Sequence, residues 1–181
     1  MKKFEEKTIK SEKIFDGKIV QLQVDEVQLP NGKTSQREII KHPGAVAVIA
    51  ITKENKIVFV EQYRKPLEKS LIEIPAGKLE PGENPMIAAI RELEEETGYS
   101  TNSLSFVTSF YTSPGFANEL LHIYITNDIK KLDNPRPADD DEFVELVELT
   151  LDEAKQYVEE ERIHDAKTAY AVLYLHALER R

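Results

Sequence analysis

The stretch from Gly77 to Tyr99, GKLEPGENPMIAAIRELEEETGY, decides how the rest of the chain is read. It is a glycine-bounded loop that runs into one helix. Asn84 is suited to cap the helix, and Pro85 to its first position, where the missing N–H has no intrahelical partner to lose. Gly98 stands where a left-handed terminating residue is wanted, so the signals predict a helix over 85–97. Ile87, Ile90 and Leu93 recur at three-residue spacing and are expected to face a core.

The end of this helix is electrostatically unfavourable. Glu92, Glu94, Glu95 and Glu96 crowd its C-terminal half, where the helix dipole disfavours carboxylates. Glu92 and Glu96 are i,i+4 neighbours, and like charges at that spacing cost about 0.2–0.5 kcal/mol per pair. Arg91 can offset part of this through Glu95, but one guanidinium does not neutralise four carboxylates. A divalent cation would. Hard oxygen ligands on a rigid element suit Mg²⁺, with Mn²⁺ as the alternative.

Working outward, residues 8–41 read as strands, with Pro30-Asn31-Gly32 as a hairpin turn between IVQLQVDEVQL and SQREII. GAVAVIAIT and KIVFVEQY follow as core strands. After the helix come SLSFVTSFYTS and ELLHIYITN, joined through Ser113-Pro114-Gly115. NDIKKLDNPRPADDDE reads as a loop and FVELVELT as a last strand. From Leu151 the period becomes helical, in LDEAKQYVEEERI, capped by Thr150, and in TAYAVLYLHALER, where Ala169, Val172, Leu173 and Leu175 are expected to be buried. The fold class is therefore α/β, in the α+β sense of a mixed sheet covered by helices. A β-rich N-terminal extension, residues 1–43, precedes a main domain, residues 44–181.

Composition narrows the function classes. The chain has 181 residues, 40% apolar and 31% charged, as expected of a globular protein with one core. No run reaches the length of a membrane span, and MKKFEEKTIKSEK lacks the apolar stretch of a secretory signal. With no cysteine there is neither a disulfide nor a thiolate metal site. A cytoplasmic location is expected. A net charge of −9 argues against nucleic acid and anionic membranes as partners, because both need a basic surface. It leaves room for a small anionic ligand, since bound cations invert the local field.

Gly77, Glu83, Arg91-Glu92-Leu93, Glu95-Glu96 and Gly98 match, position by position, the box that defines Nudix hydrolases, and the chain resembles that family. Tyr99 is the departure, standing where an aliphatic residue is usual. The resemblance implies an α/β/α sandwich and a role for Glu92 and Glu96 as metal ligands. Glu95 would assist at a second metal or through water, and the backbone carbonyl of Ala76 would be a further ligand. Glu83 and Arg91 would orient the loop and helix, Lys78 would lie within reach of the substrate, and Glu94 would be plain surface.

The likeness extends to the ADP-ribose pyrophosphatase branch. It is carried by Pro114, fifteen residues after Tyr99, with its neighbours Ser113 and Gly115, and by Glu119, Gln36-Arg37-Glu38 and Glu61-Gln62-Tyr63-Arg64. By that likeness Arg37, Glu38, Arg64, Ser113, Pro114, Gly115 and Glu119 contact substrate, with Arg64 forking onto the diphosphate. A carboxylate of the run Asp139-Asp140-Asp141-Glu142 would activate water, Glu142 being the choice and Asp140 the alternative. The implied reaction is Mg²⁺-dependent hydrolysis of ADP-ribose to AMP and ribose 5-phosphate. The implied assembly is a homodimer exchanging N-terminal strands. Another nucleoside diphosphosugar such as GDP-mannose is the rival substrate, and a non-catalytic ADP-ribose sensor the rival class. His42, His122, His164 and His176 show no ligand spacing and are read as structural or exposed.

Overall fold

The computed structural model describes residues 3–137 and 143–180. They form two compact units, one built from the chain up to Gly44 together with Phe110–Leu121, the other from Ala45–Ser109 and the chain from His122 onward.

In the first unit three strands, β1 (Lys7–Asp16), β2 (Gln21–Gln28) and β3 (Thr34–Lys41), make an antiparallel meander in that order. The turn from β2 to β3 is the expected one. Gly32 adopts φ 83°, Leu29 N–H donates to the Lys33 carbonyl at 2.8 Å, and the Asn31 side chain accepts from Lys33 N–H at 3.0 Å. β1 is exposed along its whole length. The segment 110–121, which sequence placed in the main domain, belongs here because Ile40 grips it: Ile40 N–H donates to the Phe116 carbonyl at 2.7 Å and its carbonyl accepts from Asn118 N–H at 3.2 Å.

The remaining elements are β4 (Ala45–Ile51), β5 (Ile57–Arg64), a single 3-10 turn at Lys65–Leu67, β6 (Lys69–Glu73), β7 (Ala76–Lys78), α1 (Pro85–Thr97), β8 (Tyr99–Thr101), β9 (Ser105–Tyr111), β10 (Leu120–Thr126), β11 (Ile129–Lys131), β12 (Val144–Leu149), α2 (Leu151–Glu159) and α3 (Ala166–Glu179). The main sheet runs β12-β5-β4-β10-β9, with β6 paired to β5 and β7 to β4; β8 and β11 pair separately. β6, β7, β8 and β11 are additions to the sequence reading. They are short, and Pro75 interrupts the run that holds the first two.

β4 explains why the sheet is covered on both faces. Val46, Val48 and Ala50 pack against Ala88, Ala89 and Leu93 of α1, while Ala47 and Ile49, pointing the other way, are equally buried. α1 starts and stops as its residues dictate. The Asn84 side chain accepts from Met86 N–H at 2.9 Å, and Gly98 closes the helix at φ 68° with its N–H on the Glu94 carbonyl. Its buried face differs from expectation. Ile87 is 62% exposed, and Ala88, Ala89 and Leu93 meet the sheet instead. Three-residue steps fall short of a helical turn by about 60° each, so Ile87 lies about 120° round from Leu93.

The C-terminal helices carry two further corrections. α2 has its capping box at Thr150 and Glu153 but ends at Glu159, and Glu161 at φ 57° turns the chain so that Ile163 enters the core at 1% exposure. α3 buries Thr168, Ala171, Val172 and Leu175, whereas Leu173 is exposed. It is capped by Asp165, and the Thr168 hydroxyl accepts from Ile74 N–H at 3.0 Å, which fixes the helix to the end of β6.

Candidate active site

Pairing with β4 pins β7 in place, with Ala76 opposite Ala47, Gly77 opposite Val46 and Lys78 opposite Ala45. α1 packs over this strand and turns Glu92 and Glu96 inward, each 7% exposed. Gly77 is required by that approach: a Cβ there would lie 2.0 Å from Glu92 Cδ. Glu96 is held by Ala76, whose N–H donates to its Oε2 at 2.9 Å. The unfavourable carboxylate spacing on the helix is thus a pair of buried side chains aimed at one short strand.

Arg91 organises the surrounding charge. Nε and Nη2 each donate to Glu83 at 3.0 Å, and Nη1 donates to both Glu92 and Glu95 at 2.8 Å. Nη2 also reaches the Lys78 carbonyl at 3.2 Å. Hydrogen bonding from Arg91 lowers the Glu83 pKa, and the same contact with Glu83 raises that of Arg91. Glu83 and Arg91 therefore tie the loop to the helix. Glu94 is not plain surface: its side chain is 15% exposed and accepts from Arg136 N–H at 3.0 Å, because the segment after β11 folds back over it.

The donor set fits a hard divalent cation. Two buried carboxylates and a third at Glu95 offer oxygen alone, at the end of a rigid helix. Among the described residues no three His, Asp or Glu side chains converge as a preformed cage. Mg²⁺ needs none, since it takes one or two carboxylates and completes its shell with water and phosphate oxygens.

A cleft of about 740 Å³ opens beside these groups, lined by Glu61, Tyr63, Glu95, Glu96, Lys131 and Phe143 among others. Its volume suits a small-molecule ligand. The pairing of β12 with β5, Val144 opposite Gln62, brings Phe143 to this cleft. Glu142 and the acidic residues Asp139–Asp141 before it lie outside the described residues.

Arg64 has a partner within the protein. Its Nε and Nη2 fork onto Glu73 at 2.7 Å each, and Lys167 also donates to Glu73, which is 1% exposed. Burial alone would raise the Glu73 pKa, but Arg64 and Lys167 outweigh it and hold the carboxyl below its ordinary value. Sequence reading missed this partner because it lies on β6.

The remaining candidates belong to the first unit. Arg37 forks onto Glu6, with Nε at 2.8 Å and Nη2 at 2.6 Å, while Glu38 is exposed on β3. Ser113, Pro114 and Gly115 form a turn closed by Ala117 N–H on the Ser113 carbonyl at 2.9 Å. Glu119 accepts from the Thr112 hydroxyl and stands 3.6 Å from His42 Nδ1.

A short pinned strand, a loop and a helix whose buried glutamates face that strand define a Nudix domain. The comparisons with known proteins agree: the NUDIX domain model matches residues 41–171, and the nucleoside diphosphate sugar hydrolase N-terminal domain model matches residues 6–40. The chain belongs to the Nudix family. It is 65% identical over 174 residues to a methanol dehydrogenase activator of Bacillus methanolicus, covering 96% of this chain and 94% of that protein. It is 57% identical over 175 residues to an ADP-ribose pyrophosphatase of Bacillus subtilis, covering 97% and 95%. A crystal structure of an ADP compounds hydrolase superposes with a TM-score of 0.84 at 19% identity, covering 97% of this chain and 95% of that one, a likeness of fold.

Proposed function

We propose that this protein hydrolyses the diphosphate of ADP-ribose to AMP and ribose 5-phosphate with Mg²⁺, or Mn²⁺ in its place. The observation that carries the reading is the seating of Glu92 against Gly77 and of Glu96 on Ala76 N–H, which buries two carboxylates one helical turn apart, with Glu96 in the wall of a cleft. The choice of substrate is supported by the 57% identity to an ADP-ribose pyrophosphatase along nearly the whole chain.

Bound to these carboxylates, Mg²⁺ would neutralise diphosphate oxygens and acidify a water molecule. The chain's own residues do the rest. Glu92, Glu96 and the Ala76 carbonyl would supply the oxygens that hold the metal, Glu95 would assist directly or through water, and Arg91 fixes the carboxylates that flank it. Glu142 takes the proton from the attacking water as general base. Arg37, Glu38, Lys78, Ser113, Pro114, Gly115 and Glu119 are assigned to substrate binding. Arg64 can contribute there only with the part of its guanidinium that Glu73 does not engage. A homodimer and a cytoplasmic location complete the reading. No described helix is long and apolar enough to cross a membrane.

The test is kcat/KM with Mg²⁺ across ADP-ribose, GDP-mannose, UDP-glucose and a nucleoside triphosphate. ADP-ribose should lead by roughly tenfold or more, the range set by a few hydrogen-bonded contacts. If GDP-mannose or the triphosphate leads, the substrate assignment fails; if nothing is hydrolysed, the enzyme assignment fails. A second reading, activation of a methanol dehydrogenase, is favoured by the 65% identity to a protein so described. It is checked by adding the protein to such a dehydrogenase and measuring turnover with and without Glu96→Gln.

A further inference from the structure

The cleft beside the box glutamates is acidic. Glu61, Glu95, Glu96 and Glu145 line it, and among its described residues the one cationic side chain is Lys131. A diphosphate ligand in this cleft needs positive charge beyond the metal, so the seating of Lys131 matters.

Lys131 is braced from two sides. In the β8–β11 ladder it stands directly opposite Tyr99, and its Nζ lies 4.5 Å from the centre of the Tyr99 ring. The same ammonium donates to the Thr97 carbonyl at 2.8 Å. Tyr99 is itself fixed, because its hydroxyl donates to Glu148 at 2.7 Å, and that bond pushes its pKa up to about 12. An aliphatic residue at position 99 would offer neither the ring face nor the link to Glu148. Gly98 leaves the ammonium room, since a Cβ there would touch Nζ at 3.4 Å.

A cation at the C-terminal end of α1 is favourable in its own right, as it meets the negative end of the helix dipole. That accounts for the contact with Thr97 but not for the choice of site. The end of the helix could be capped from several directions, and Lys131 lines the cleft with Glu95 and Glu96. An ammonium carries three donors, and the Thr97 carbonyl takes one.

We infer that Lys131, braced by Thr97 and Tyr99, contacts a phosphate oxygen of the diphosphate bound in this cleft and so sets affinity for that group. The inference rests on the reading of the chain as a diphosphate hydrolase. Tyr99, the departure from the box, is the residue that positions it.

Three variants of the full chain test it. Lys131→Gln keeps a donor for the Thr97 carbonyl and removes the charge, Lys131→Arg restores the charge, and Tyr99→Leu removes the brace. With ADP-ribose and Mg²⁺, Lys131→Gln should raise KM roughly tenfold, change kcat less than about threefold and leave the Mg²⁺ requirement unaltered. Lys131→Arg should recover most of the loss, and Tyr99→Leu should fall between. Calorimetric titration with inorganic pyrophosphate and Mg²⁺ should show the same order of affinities. Should Lys131→Gln keep KM and pyrophosphate affinity and lower only the thermal midpoint, Lys131 is a helix cap and the inference is overturned. It is overturned equally if the parent protein does not bind pyrophosphate. If the parent binds pyrophosphate yet leaves ADP-ribose intact, the substrate assignment fails, and the titration of the variants still decides Lys131.

Discussion

The carboxylate of Glu92 lies against the α-carbon of Gly77, so close that both Oε atoms would be 2.1 Å from a Cβ at that position. The contacting atoms belong to a side chain held on the far side by Arg91, which limits how far it can yield. Gly77→Ala should therefore displace Glu92 without unfolding the domain, since β7 keeps its pairing with β4. Turnover should drop by about a hundredfold, the scale of a 1 Å misplacement at a reacting centre. Circular dichroism should be unchanged. Near-normal turnover would show that Glu92 is not needed where it sits.

Glu96 and Glu92 repel each other one helical turn apart, and burial makes the repulsion harder to screen. Glu96→Gln removes a charge while its amide oxygen can still accept from Ala76 N–H. The expected outcome is a thermal midpoint without Mg²⁺ that is equal to or above that of the parent. Activity should fall by orders of magnitude, and the stabilisation that Mg²⁺ gives the parent should shrink. Full activity at saturating Mg²⁺ would remove Glu96 from the metal site.

Glu73 is a buried carboxylate compensated by Arg64 and Lys167, and its effect is on stability before substrate. A carboxyl whose folded pKa is depressed contributes stability that is complete above its unfolded pKa, about 4.3, and is lost as pH falls from there through the folded value. Removing the group should flatten that part of the profile, so the thermal midpoint of Glu73→Gln should change less than the parent's between pH 5 and pH 3, all buffers roughly matched in ionic strength. Arg64→Ala leaves Glu73 with Lys167 alone. The cost should be about 3 kcal/mol, the low end for a broken buried pair, because the Arg64 side chain is 39% exposed. A rise in KM with no loss of stability would instead restore Arg64 to the diphosphate.

What was legible in the sequence was local. Asn84, Pro85 and Gly98 fix the ends of α1 by backbone chemistry that needs no neighbour, and the glutamate spacing declared its strain before any contact was known. Tertiary choices were not legible. Periodicity marked Ile87 as apolar but could not say that the sheet approaches over Ala88 and Ala89 instead. Arg64 looked free because its partner lies nine residues on, in a strand that Pro75 obscures. The inclusion of 110–121 in the first unit depends on contacts such as His42 N–H to the Asn118 side chain, 76 residues apart, for which no local signal exists.

β1 is the element with the most left uncovered. All ten of its residues are exposed, including Ile9 at 54%, Ile14 at 53% and Phe15 at 57%. Apolar side chains at that density on a long edge strand invite pairing, and a symmetric partner is the simplest cover that closes on itself. A homodimer is the expected state, measured by sedimentation equilibrium at micromolar concentration. Ile14→Lys with Phe15→Lys should weaken it by at least tenfold, because two charges would enter a face that association desolvates. The second unit, whose core does not include these residues, should keep its thermal midpoint in the doubly substituted chain. A parent protein that sediments as a monomer while hydrolysing ADP-ribose at full rate would rule out both the dimer and any exchange of N-terminal strands in the active form.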